Sequence, residues 1–196
     1  RQFPAMSRQL AEVAAVLDAP EVPDLFVTAD PTLNAVTIGM DRPLIVVNSA
    51  LVDRLDEEEM AFVLAHELGH ALSGHAVYQT LLRRLLQLTG VLNALPLGGL
   101  GIRMVVAALR EWSRKSELSA DRAGLLATQD PAEAFRVHMK LASGGHLDDL
   151  DTTSFFDQDR EYDESGDLRD SVLQMLLIQN RTHPFAVVPS AELLRW

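Results

Sequence analysis

Apolar residues recur at helical spacing over residues 2–18, where Leu10, Val13, Ala14 and Leu17 share one face. Pro20 and Pro23 close that helix. Three short strand-like runs follow, at 25–28, 35–39 and 44–47, set apart by turn signals at Asp30-Pro31 and Asp41-Arg42-Pro43. They predict a small, mostly antiparallel sheet. Asp56 and Glu59 then have the spacing of a capping box, and Glu57 and Glu58 suit the positive end of a helix dipole. A long helix is therefore predicted from 57 into the low 80s at least. A second long helix is predicted over 102–128, and a third opens at Asp130-Pro131, with proline in its first position, and runs through about 142. Further helices are predicted over 168–180 and 191–196. There is no internal repeat. The pattern is that of an α+β chain, mainly α, in a single domain over residues 1–196.

The segment 88–109 is unusually apolar, and its 22 residues are enough to span a bilayer. It also contains Asn93, Pro96, Arg103 and the glycines Gly90, Gly98, Gly99 and Gly101. The cluster at 96–101 reads as a turn between two buried helices, with membrane contact through 88–109 as the alternative.

Hydrophobic residues make up 47% of the 196 and charged residues 23%, which is ordinary globular composition and excludes a disordered chain. The net charge is −11, which argues against a partner with a phosphate backbone, so no nucleic acid is expected. The charge is uneven: residues 148–170 hold ten acids against two bases, so eight of the eleven net negative charges lie there. This segment, within an acidic loop predicted over 143–170, reads as a solvated surface loop or as an acidic lid. With no cysteine, disulfides, thiolate zinc sites and cysteine nucleophiles are excluded together. Arg1 in place of an initiator methionine is expected of a processed or excised form. The opening segment reads as an amphipathic helix and not as a signal peptide.

The segment that carries chemistry is His66-Glu67-Leu68-Gly69-His70 on the first long helix. Residues four apart lie one above the other on a helix, so His66 and His70 can bring two imidazole nitrogens to one metal ion. Glu67 stands beside that face, where its carboxylate meets a metal-bound water rather than the metal. Catalytic zinc takes three protein ligands and keeps an open position. Glu117, in Glu117-Leu118-Ser119-Ala120-Asp121 on the second long helix, is the candidate third ligand. Asp121, one turn further on the same face, can accept the spare N–H of a ligating histidine. His75 is five residues past His70, which turns it about 140° off the face of His70 on a continuous helix. His75, His138 and His146 are accordingly read as structural or surface positions.

These residues resemble the gluzincin metallopeptidases, specifically the HtpX-like and CAAX-prenyl-protease (Ste24-type) branch. Two further segments extend the likeness: Asn34-Ala35-Val36-Thr37-Ile38-Gly39 with the following strand at 44–47, and Thr182-His183-Pro184. The resemblance covers roughly residues 20–196 in the family's order. It implies a zincin-like catalytic domain with one zinc ion held by His66, His70 and Glu117, and Glu67 as general base. It implies that Asp121 backs a zinc histidine and that His183 stabilises the oxyanion. It also implies that the edge strand at Asn34, Ala35, Val36 and Thr37 takes an extended peptide as an added strand. One position departs from the family pattern: Pro189 stands where members often carry an arginine after the late histidine. The implied activity is zinc-dependent endopeptidase cleavage of a peptide or protein, in the cytoplasm or at the cytoplasmic face of a membrane. A soluble fragment of a membrane protein fits the same pattern. The competing expectations are a non-catalytic zinc-stabilised interaction module, a latent peptidase covered by the acidic loop, and a zinc hydrolase acting on something other than peptides.

Overall fold

The computed structural model describes residues 2–39, 41–75, 77–78 and 98–145. The acidic segment from 146 onward, the helices predicted at 168–180 and 191–196, His146, His183 and Pro189 all lie outside the described residues. So does the 88–97 part of the apolar stretch.

Helix α1 (Pro4–Val16) starts on a proline and buries Met6, Leu10, Val13 and Ala14. The side chain of Gln9 donates to the carbonyl of Glu57, pinning α1 to the start of the helix that carries His66 and His70. The strands are β1 (Asp24–Thr28), β2 (Ala35–Ile38) and β3 (Leu44–Asn48), in the order β1-β3-β2. β2 and β3 are antiparallel, while β1 and β3 are parallel, so the sheet is mixed rather than mostly antiparallel. The reason lies in the two connections. Between β2 and β3 the chain makes a tight hairpin at Gly39, whose φ of 99° and close approach to the Arg42 carbonyl exclude a side chain. After β1 it does not turn back at once. The 30–34 loop is tied to the end of β3 instead: Asn48 donates to the carbonyls of Asn34 and Thr32, and Ser49 exchanges hydrogen bonds with Asp30. β3 therefore enters between its neighbours. Its Ile45 and Val47 become fully buried at the sheet's centre.

A short helix that the sequence pattern did not reveal, α2 (Ser49–Arg54), leads into α3 (Glu57–Leu72). The capping box of α3 is formed: the Glu59 N–H donates to Asp56 Oδ1 at 2.9 Å, and the Asp56 N–H donates to Glu59 Oε2 at 2.8 Å. The helix stops at Leu72, well short of the low 80s. Ser73 and Gly74 close it, with Gly74 in the left-handed region at φ 65°, where glycine is favoured. His75, Val77 and Tyr78 are helical again beyond that break.

Helix α4 (Gly98–Thr128) begins earlier than its predicted 102, so Gly98, Gly99 and Gly101 lie in its first turns and not in a turn between helices. Asp130 caps α5 (Pro131–Ser143) by accepting from the Ala132 N–H, and Gly144 at φ 69° ends it. Among the described residues no helix is long and apolar enough to cross a membrane.

The core lies where α1, α3, α4, α5 and the inner face of the sheet meet, around Leu10, Leu51, Phe62, Leu64, Leu68, Leu125 and Val137. Two glycines set the spacing of α3 and α4. A Cβ on Gly69 would stand 2.9 Å from the Ala123 methyl, and one on Gly124 would stand 2.5 Å from the Phe62 ring. The two helices therefore run closer together than side chains on both would allow.

Candidate metal centre

Side chains from α3 and α4 converge where these helices are closest. The Nε2 atoms of His66 and His70 are 3.1 Å apart. Glu117 comes from α4 with one carboxylate oxygen 3.5 Å from Nε2 of His66 and the other 3.6 Å from Nε2 of His70. A zinc ion with bonds of about 2.0–2.1 Å in a tetrahedron sets its ligand atoms roughly 3.4 Å from one another. The three separations bracket that value. Glu117 and His70 are buried, and a carboxylate with two imidazoles is a donor set suited to zinc.

The tautomer of His66 follows from its other nitrogen. Its Nδ1 lies 2.8 Å from Oδ1 of Asp121, which is fully buried. Burial pushes the Asp121 carboxyl upward, but the neighbouring His138 and His66 imidazoles outweigh it and hold the group well below the usual carboxylate range. A carboxylate only accepts, so His66 Nδ1 carries the proton and donates it, and Nε2 presents a bare lone pair toward His70 and Glu117. A bare imidazole nitrogen, a second imidazole and a carboxylate gathered this closely attract a proton or a metal cation between them. The residues present therefore fit a zinc ion.

Glu67 is almost fully buried. Its carboxylate oxygen Oε2 lies 2.7 Å from the Thr37 hydroxyl on β2, which stands equally close to the Glu67 carbonyl. The single hydroxyl proton is directed at one of these two acceptors at a time. Thr37 thus turns its side chain inward to α3. Ala35 is also buried, and Asn34 uses its carbonyl to accept from the Asn48 N–H. β2, which includes Val36, forms an edge of the three-stranded sheet beside the metal-binding face.

Two histidines set aside in the sequence belong to this site. His138 on α5 places Nε2 3.4 Å from the second Asp121 oxygen and packs edge-on to Phe62. His75 places Nδ1 3.0 Å from Nδ1 of His70. Burial above all, and then the charge of His70, push the His75 imidazole down to about 4, so it is neutral at pH 7. A rotation of about 140° away from His70 holds only on one continuous helix. The Ser73-Gly74 break interrupts α3 and turns His75 back toward His70, and Gly74 as a helix stop is the signal the sequence offers for it.

A small sheet laid against a helix bearing H-E-x-x-H, with a second long helix returning a glutamate to the histidine pair, defines a zincin-like fold of the gluzincin kind. The chain belongs to peptidase family M48, whose sequence model matches residues 1–193. It is 34% identical to the plastoglobule-localized metallopeptidase 48 of Arabidopsis thaliana, over 95% of this chain and 55% of that protein. It is 30% identical to protease HtpX of Xanthomonas axonopodis over 47% of this chain and 32% of that protein. A Helicobacter pylori HtpX homolog is 44% identical over a shorter stretch, 24% of this chain and 16% of that protein. The chain thus spans about half the length of the first of these relatives and a third or less of the others. No solved structure matches it.

Proposed function

We propose that this chain carries the catalytic centre of a zinc-dependent endopeptidase. The observation that carries this reading is the convergence of His66, His70 and Glu117 at separations of 3.1, 3.5 and 3.6 Å. Family membership and the printed names of the relatives, metallopeptidase and protease, support it.

In this reading His66, His70 and Glu117 hold one zinc ion, which when bound polarises the scissile carbonyl and acidifies a water molecule. Asp121 keeps His66 in the tautomer that leaves Nε2 bare. Glu67 takes a proton from the attacking water and passes it to the leaving amine, breaking the peptide bond without a free ion in solution. The carboxylate is buried among α3 and β2 and is oriented by Thr37, so little reorganisation is needed at the moment of proton transfer. β2, at the sheet edge, offers main-chain groups along which an extended peptide or protein segment can lie. His183 as oxyanion partner completes the proposed machinery. Contact with a membrane surface through 88–109 belongs to the same reading, and exposed Met104 and Val105 on α4 support it.

Glu67→Gln tests the mechanism. Cleavage of an unfolded protein substrate should fall by about 10²–10⁴-fold or more, as for loss of a general base, while one zinc per chain stays bound in mass spectrometry. Wild-type activity in that variant refutes the assignment. Wild-type chain that takes up no zinc on titration refutes the metal site itself.

A further inference from the structure

His75 stands at a position that the metal site needs filled. An imidazole that offers Nε2 to a metal must carry its proton on Nδ1, and that proton needs an acceptor when the ring is buried. His66 meets this requirement through Asp121. His70 is buried, and its Nε2 is the nitrogen that faces His66 and Glu117. Its Nδ1 is 3.0 Å from Nδ1 of His75. His75 is itself buried, with its ring edge-on to Trp112 at 5.4 Å and 83°, and Trp112 in turn packs on Tyr78. The ring therefore has little freedom to turn away. The Ser73-Gly74 break is what aims it: on an unbroken helix the fifth residue would face away from His70. Nothing crowds Gly74, so its positive φ alone accounts for glycine there.

Resting on the reading of His66, His70 and Glu117 as zinc ligands, we propose that His75 is a positioning residue of the metal site, accepting the Nδ1–H of His70 on its own Nδ1. It does for His70 what Asp121 does for His66, with one difference. Asp121 is an anion and His75 a neutral ring, so the two ligands are backed unequally and the site gains no second buried negative charge. His75 carries its own proton on Nε2.

The test compares three forms of the full chain: wild type, His75→Leu and His75→Asn. Leucine keeps an apolar side chain against Trp112 and removes the acceptor. Asparagine places an amide oxygen close to where the imidazole Nδ1 stood. Zinc affinity is read by competition with a chromophoric chelator, and thermal unfolding of the metal-free proteins is read alongside. The leucine variant should bind zinc about 10–100-fold more weakly, as for other losses of a ligand's hydrogen-bond partner. The asparagine variant should stay within about threefold of wild type, with no matching order among the metal-free melting temperatures. If leucine does not fold, His75→Phe, which keeps a ring against Trp112, takes its place. Wild-type affinity in the acceptor-free variant overturns the proposal while leaving the metal site standing. An asparagine variant as weak as leucine overturns the acceptor role. A wild-type chain that binds no zinc overturns both readings together.

Discussion

Replacing Gly69 with alanine puts a methyl group into a close contact between α3 and α4. The new carbon would lie 2.9 Å from the Ala123 methyl and 3.2 Å from Ala120 Cα. Carbon atoms pack at about 3.5–4.0 Å, so the helices must part by about 0.6–1 Å. Neither neighbour is a flexible side chain that can swing aside. The fold absorbs this at modest cost: overpacking takes about 1–3 kcal/mol, offset by about 1 kcal/mol from replacing a helical glycine. The proposed metal site should absorb it badly, because His66 and His70 lie on one of the separating helices and Glu117 on the other. The 2.8 Å bond between His66 and Asp121 would stretch to roughly 3.4–3.8 Å, outside hydrogen-bond range. Glu117 would withdraw by a similar amount. Zinc affinity should fall by about 10–100-fold while the melting temperature moves by only a few degrees. Adding Ala123→Gly removes the methyl that the new side chain strikes, and the double variant should recover most of the affinity. The assay is chelator competition on all four members of that cycle, with urea unfolding beside it. Unchanged zinc affinity in Gly69→Ala, in a protein that has kept its fold, refutes the claim that helix spacing at Gly69 sets the ligand geometry.

Two further outcomes follow from the same geometry. Thr37→Val keeps the shape of the side chain and removes the hydroxyl that faces Glu67, so kcat on a protein substrate should drop by about tenfold with KM and zinc content unchanged. Thr37→Ser should restore most of the rate, and a serine variant as slow as valine would count against the hydroxyl. Asp121→Asn bears on pH. Because the folded Asp121 carboxyl is held below its ordinary value, its ionised form contributes stability that is complete above the unfolded value of about 4 and is lost as pH falls toward the folded one. The metal-free asparagine variant should thus be less stable than wild type at pH 7, and the gap should close as urea unfolding is repeated below pH 4. A gap that stays constant over that range contradicts the assignment.

Local chemistry was legible along the chain. The capping box at Asp56 and Glu59, Pro131 at the head of α5 and the i, i+4 placement of His66 and His70 all depend on residues within one or two helical turns. Local propensity and helical geometry are enough to specify such features. The strand order was not legible. β1 and β2 each read as strands, but which edge of β3 each would join depends on how the 30–34 loop is tied to Asn48 and Ser49. A single glycine at 74 divided the predicted helix, and with it the inferred direction of His75.

Sequence alone thus pointed to the residue types of the candidate metal site and to the helix that carries His66 and His70. Tertiary structure decided how near Glu117 comes to the histidine pair, that Thr37 faces Glu67, and that His75 and His138 stand behind the ligands and their partners. The physical reason is distance along the chain. Contacts within a helix are dictated by a fixed rise and rotation per residue. Contacts between elements depend on packing that the chain does not announce by any local periodicity: α3 and α4 meet where Gly69 lies against Ala120 and Ala123 and where Gly124 leaves room for the Phe62 ring.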